Sequence, residues 1–317
     1  MVPESAHQDT IGTLARTLRD AVYALDGIYG VDSRDNYTSA QTGNTPAGGY
    51  AQYLTDKSAL KGAKFGIPWQ SFWRYAGSEE QAKLTALIEL IQDAGATVIN
   101  GTELPNHETI VSPDGWNWDY GTVRGYANES EYTVVKVDFY NNIKSYLSEL
   151  SNTDMTSLED IVQYNIDNAG SEGGVPGAHP AFASGQDGFL ASMATKGVMD
   201  ETYYQALGFC QKSTREDGID AALLNAGNKL DALLIPPSVA QAPQIAAQAG
   251  YPIITLPVGV STADGMGYSL GLLGTAWSEA TLIKYASAIE DMKQTTRFKR
   301  TLPTWKNFKS KIIPVPF

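Results

Sequence analysis

Gly267-Tyr268-Ser269-Leu270-Gly271 has the Gly-x-Ser-x-Gly spacing that presents a nucleophilic serine at a sharp elbow. That chemistry needs a strand before the serine, a helix directly after it and a later histidine to take its proton. Here a turn-rich loop over residues 261–267 comes first, an apolar strand pattern follows, and no histidine lies after His179. The segment reads as a sheet strand with small residues. His7, His107 and His179 are the only histidines, and none has a partner at metal-ligand spacing. His179 sits between Ala178 and Pro180, in a loop that could border a cleft. Cys210 is the only cysteine, which excludes an internal disulfide and a cysteine-rich metal site. Its neighbours Leu207, Gly208 and Phe209 mark it as a core thiol. Glu79-Glu80 opens a helix, where carboxylates favour the helix dipole. No phosphate-loop or dinucleotide glycine fingerprint is present.

The elements that must carry these residues alternate between helix and short strand. Ile11, Leu14, Leu18, Val22 and Leu25 recur at three and four, which predicts a helix over 10–28 with Asp9 or Thr10 as its cap. Arg16 and Asp20 would then pair at i, i+4 on that helix. Residues 31–60 are a polar connection. Strand 64–68, a helix ending at Gly95 and strand 96–99 form a parallel unit with a right-handed crossover. Ser78 with Gln81, and Thr156 with Glu159, have capping-box spacing. Residues 101–131, with Pro113, Trp116, Trp118 and Tyr120, read as an irregular excursion. Helices are expected at 133–150, 157–168 and 278–292, with two or three more in 183–229 and a Gly/Pro-rich loop at 170–181. Strands are expected at 230–236, 253–257 and 268–273. This alternation implies an α/β fold, a mixed sheet covered by helices on both faces.

An apolar fraction of 43% over 317 residues supplies a core and argues against disorder. The net charge of −12 counts against a nucleic-acid partner. No apolar run reaches the ~18 residues of a membrane span. The first residues show no signal-peptide pattern, and the Asn-x-Ser/Thr sequons at Asn36, Asn100 and Asn128 do not by themselves fix a compartment.

The run from Val2 to Asp20, containing Ser5-Ala6-His7-Gln8-Asp9-Thr10-Ile11-Gly12 and Ala15-Arg16-Thr17, resembles a stretch of the amidase signature family. Four later stretches resemble that family in order. They are Ala63–Pro68 with the helix to Gly95, Leu230–Pro237, Ala249–Gly259, and Tyr268–Gly274 with Trp277-Ser278-Glu279. Thr13 departs from the pattern, standing where many members have proline. The middle of the chain looks most like the fungal and peptide-amidase-like branch.

The resemblance implies an amide C–N hydrolase using a Ser–cis-Ser–Lys triad and backbone oxyanion donors, with no metal or organic cofactor. In the family, the lysine and both serines precede the stretch that matches residues 2–20. The expectation is therefore a single domain over 1–317, truncated at its N-terminus, with no catalytic residue of its own and inactive alone. Gly170-Ser171-Glu172-Gly173-Gly174 only echoes the family's Gly/Ser loop, because no second Gly-Gly-Ser follows it. Substrate-pocket candidates are His7, Gln8 and Asp9 in the matching run, His179 in its loop, and Phe182 and Gln186 where related enzymes shape their pocket. The expected ligand of the parent enzyme is a small amide or peptide amide. The alternative is a non-catalytic scaffold that binds such a ligand or regulates an intact paralogue. Missing neighbours would leave sheet edges open to self-association.

Overall fold

The computed structural model describes residues 1–111, 126–227, 229–263, 265–296 and 298. Pro113, Trp116, Trp118 and Tyr120 of the irregular excursion lie outside the described residues. Five strands form one sheet: β1 (Lys64–Ile67), β2 (Thr97–Asn100), β3 (Ala232–Ile235), β4 (Ile253–Val260) and β5 (Gly267–Leu273). Their order is β2-β1-β3-β5-β4. β2, β1 and β3 run parallel, with Phe65 opposite both Val98 and Ala232. β5 turns antiparallel between β3 and β4, with Leu272 opposite both Leu234 and Ile254. The helices longer than one turn or two are α1 (Leu18–Asp26), α2 (Ser78–Asp93), α3 (Glu131–Ser148), α4 (Leu158–Asp167), α5 (Asp187–Thr195), α6 (Glu201–Thr214), α7 (Gln241–Ala249) and α8 (Glu279–Gln294).

Strand alternation divides the core between the two faces of the sheet. Ala232 and Leu234 of β3 join Leu84, Leu87 and Ile91 of α2, Leu18 and Val22 of α1, and Leu282 and Ile289 of α8. Leu233 and Ile235 point the other way, onto Ala242, Ile245 and Ala246 of α7 with Phe72 and Ile219. All four residues of β3 are buried, which explains its unbroken apolar sequence at the sheet centre. Helices α3, α4 and α6 build two satellite clusters, Val134 and Val137 with Tyr203 and Ala206, and Ile143 and Leu147 with Leu158 and Val162. Cys210 is buried on α6, and Ser269 lies within β5, whose strand continues to Leu273 with no helix directly after the serine, as the sequence implies.

Several boundaries differ from expectation. The helix expected over 10–28 begins only at Leu18, capped by Thr17, whose hydroxyl accepts from the Asp20 N–H at 3.1 Å. Ile11 and Leu14 are 66% and 103% exposed, so an earlier start would bury nothing, and helices this short depend on packing. Asp9 does not cap; its carboxylate accepts from the Glu4 N–H at 2.7 Å. Arg16 precedes α1 and so does not share a helix with Asp20, whose carboxylate accepts from the Thr17 hydroxyl.

The box expected at Thr156 and Glu159 sits one residue later, as Ser157 with Asp160. That register buries Leu158 and Val162. No box forms at Ser78, the first helical residue of α2; Gln81 turns back to donate to the carbonyls of Trp73 and Ala76. Helix α7 had no counterpart in the sequence reading. It accommodates Pro243 in its first turn, where a missing N–H costs no helical bond. It ends at Gly250, whose φ of 67° places it in the left-handed region that favours glycine.

Candidate functional site

The first nine residues carry the clearest polar convergence. Asp138 lies on α3 one turn beyond Val134, on the helix face that packs against α6, and is 2% exposed. Its Oδ2 accepts from Ser5 Oγ at 2.6 Å and lies 2.8 Å from His7 Nδ1. Its Oδ1 accepts from the Tyr203 hydroxyl of α6 at 2.6 Å. A carboxylate oxygen only accepts, so His7 Nδ1 carries the hydrogen, and Nε2 lies 3.4 Å from the Tyr37 hydroxyl. The Tyr37 ring stands edge-on to the imidazole. Burial, then the Asp138 and Asp35 charges, raise the Tyr37 pKa above its ordinary value. Burial and the hydrogen bond to Asp138 raise that of Tyr203 much further. Both phenols therefore remain protonated donors through the neutral range.

This arrangement orients a histidine but does not activate a serine. A Ser–His–Asp relay needs the serine hydroxyl on the far imidazole nitrogen. Here Ser5 and His7 share one acceptor, and the far nitrogen faces Tyr37.

A cleft of about 200 Å³ opens beside this hub, lined by Glu4, Ser5, Gln8, Asp9, Glu131, Val135 and Gln244. Glu131 begins α3 and is 4% exposed. Its carboxylate accepts from the side-chain amide of Gln244 on α7, and the Gln8 and Gln248 side chains lie close by. Burial nevertheless pushes the Glu131 pKa up to about 7, against the three amides and with a further push from the Glu4 charge.

The expected pocket residues thus fall into two groups. His7, Gln8 and Asp9 are brought together at the hub and its cleft. His179, Phe182 and Gln186 gather elsewhere, around the loop after α4. His179 Nδ1 accepts from the Ala181 N–H at 3.1 Å, and its ring lies 5.3 Å from that of Phe182. Phe182 packs over Gly173, leaving no room there for a Cβ. Gln186 is buried; its amide donates to the carbonyls of Val162 and Gly174 and accepts from Asn165. That amide is spent on the framework. Among the described residues, no group of three or more His, Cys, Asp or Glu is arranged to hold a metal.

Ser5, Tyr37, Glu131, Asp138, Tyr203 and Gln244 escaped the sequence reading. One signal was available for Asp138: a carboxylate one turn from Val134 on an otherwise apolar stripe.

The amidase family model matches residues 1–173, more than half of the chain. An inferred amidase of Schizosaccharomyces pombe is 49% identical over 322 residues, covering 99% of this chain and 54% of that protein. The chain belongs to the amidase signature family. A probable amidase of Arabidopsis thaliana is 33% identical, over 92% of this chain and 49% of that one. The structure of native peptide amidase from Stenotrophomonas maltophilia superposes with a TM-score of 0.73 at 28% identity. That likeness covers 95% of this chain and 56% of the peptide amidase chain. The chain thus spans about half the length of the amidases it matches. The mixed sheet with helices on both faces is the amidase-signature fold that the ordered motifs imply.

Proposed function

We propose that this chain forms the part of an amide C–N hydrolase that follows the catalytic residues. In this reading the lysine and the two serines are supplied by residues outside these 317, and the 317-residue chain alone does not cleave amides. The observation that carries it is the pairing of coverages: 95% of this chain matches peptide amidase, but only 56% of peptide amidase is matched in return. The substrate class is a small amide or peptide amide, cleaved to an acid and ammonia or an amine. Alone, the chain self-associates through surfaces that its missing neighbours would cover. Ile11 and Leu14, exposed just after the hub, are part of such a surface.

The test is ammonia release from C-terminal peptide amides and small carboxamides. The 317-residue chain is compared with a chain extended by the S. pombe relative's preceding half. Activity only in the extended chain is expected. Hydrolysis by the 317-residue chain, with covalent labelling of one of its own serines by a fluorophosphonate, would overturn the reading. A second reading is a scaffold that binds an amide without cleaving it. It is favoured by the cleft beside the hub, which is lined by polar side chains including Gln8 and Asp9.

A further inference from the structure

Residues 4–9 fold into a turn closed on itself. The Ser5 carbonyl accepts from the N–H groups of Gln8 at 2.9 Å and Asp9 at 2.8 Å. The Asp9 carboxylate accepts from the Glu4 N–H at 2.7 Å, and Ser5 Oγ accepts from the His7 N–H at 3.3 Å. These bonds fix the shape of the turn but not its place on the molecule. Two donors place it: Ser5 Oγ at 2.6 Å and His7 Nδ1 at 2.8 Å converge on Asp138 Oδ2.

Asp138 is a firm anchor for them. Its helix α3 packs Val134 and Val137 against Tyr203 and Ala206 of α6. The Tyr203 hydroxyl occupies Oδ1, so the carboxylate cannot rotate without losing that bond. One oxygen thus faces the helical layer and the other faces the run. Bonds to a buried carboxylate are charge-assisted and stronger than those between neutral groups. Ser5 is 1% exposed, so its hydroxyl has no bulk water to turn to. His7 is more open, with 22% of its side chain exposed, and its Nε2 has only the long contact to the Tyr37 hydroxyl. The imidazole therefore holds the run through Nδ1 and leaves its other edge nearly unengaged.

We infer that His7 and Asp138 are positioning residues for amide hydrolysis: their bond, with that of Ser5, fixes the run and thereby the catalytic segment that leads into it. The inference rests on the reading that the catalytic lysine and serines precede this run. A nucleophile whose segment continues into an unpinned turn has several positions open to it. Misplacement by about 1 Å can cost roughly a hundredfold in rate. The role of His7 is mechanical. The pair uses its Nδ1–H, and no proton passes through Nε2.

The experiment measures kcat and KM for a C-terminal peptide amide in the chain extended by the S. pombe relative's preceding half. His7→Ala should lower kcat by about tenfold and leave KM within about twofold, the pattern of a loss felt in the transition state. His7→Asn should recover most of that loss. The asparagine side-chain nitrogen stands where Nδ1 stood and can donate to Oδ2, yet it has no second ring nitrogen. Should His7→Ala fail to fold, Ser5→Ala serves, because it removes the other donor to the same oxygen. An unchanged kcat in the alanine variant, or His7→Asn no better than His7→Ala, would overturn the inference. Solid-state 15N NMR of the 317-residue chain, labelled at its three histidines, separates this inference from the reading it rests on. At about pH 8, where an ordinary imidazole is neutral, His7 should carry its proton on Nδ1, its signal identified by its loss in His7→Asn. A proton on Nε2 instead would overturn the inference whatever the activity. A proton on Nδ1 in a protein whose extended form releases no ammonia would overturn the amidase reading, and the positioning role with it.

Discussion

The Tyr203 hydroxyl donates to Asp138 Oδ1 at 2.6 Å, and this one bond joins α6 to α3 inside a cluster of valines and alanine. It fills the carboxylate oxygen that Ser5 and His7 leave free. Tyr203→Phe keeps the ring packing and removes only the donor. The buried Asp138 oxygen then loses its partner, at a cost of about 1–3 kcal/mol. Urea denaturation should show a lower midpoint with an unchanged slope. A midpoint equal to that of the unaltered chain would mean that water replaces the phenol.

Glu131 should make global stability fall as pH rises. Its folded pKa is raised to about 7 from an ordinary 4.5, so between those values the folded state holds a proton that the unfolded chain has released. Its contribution is thus most favourable below about pH 4.5, declines as pH climbs, and levels off above about 7. The full span is on the order of 3 kcal/mol. Glu131→Gln removes the titration, so its stability relative to the unaltered chain should improve between pH 5 and pH 8. Paired urea titrations at those two pH values measure it. An equal difference at both would show that Glu131 titrates normally.

How far the sequence foretold these relationships depends on their range. The β1–α2–β2 unit was legible because its apolar stripe, its glycine stop and its two short strands are local signals. The start of α1 was not. The spacing of Ile11 and Leu14 continues the pattern of Leu18 and Val22, and only the tertiary structure leaves the first two without a surface to cover. Ser157 and Thr156 offer equivalent capping chemistry, and the burial of Leu158 chooses between them. At the hub, the resemblance offered His7, Gln8 and Asp9 as pocket candidates. The His7 partner Asp138, and Tyr203 that bonds Asp138 in turn, lie more than a hundred residues on, in helices whose pairing no local pattern encodes. Gln186 shows the converse. Its position suggests a pocket, yet its amide is consumed by the backbone of α4 and the following loop.

That clamp supplies a sharp local test. A Cβ on Gly174 would lie 2.1 Å from the Asn165 carbonyl oxygen, and the obstacle is backbone rather than a movable side chain. Gly174→Ala must push the loop off α4 and pull its carbonyl from Gln186. A cost of about 1–3 kcal/mol is expected from such overpacking. Gln186→Ala loosens the same junction without the clash. In both variants, limited proteolysis should cut residues 174–186 faster. Unchanged cleavage of this segment would show that other contacts hold the loop.

Strand β4 is an edge of the sheet, and edges recruit other strands unless they are blunted. Two features blunt this one at its middle. Pro257 has no N–H to offer, and its carbonyl accepts from the ammonium of Lys293, a residue of α8 that is 5% exposed. A strand arriving from a second molecule would have to displace that ammonium to reach the carbonyl. Lys293→Ala removes the donor and frees the acceptor without altering the strand itself. The expected outcome is a rise in self-association, seen as a larger share of faster-sedimenting species at equal concentration. It should be accompanied by a modest loss of stability, because the bond between the buried Lys293 ammonium and the Pro257 carbonyl is lost. If stability falls but the sedimentation profile does not change, β4 is not the surface through which copies of the chain meet. The exposed apolar stretch at Ile11 and Leu14 then becomes the one to alter next.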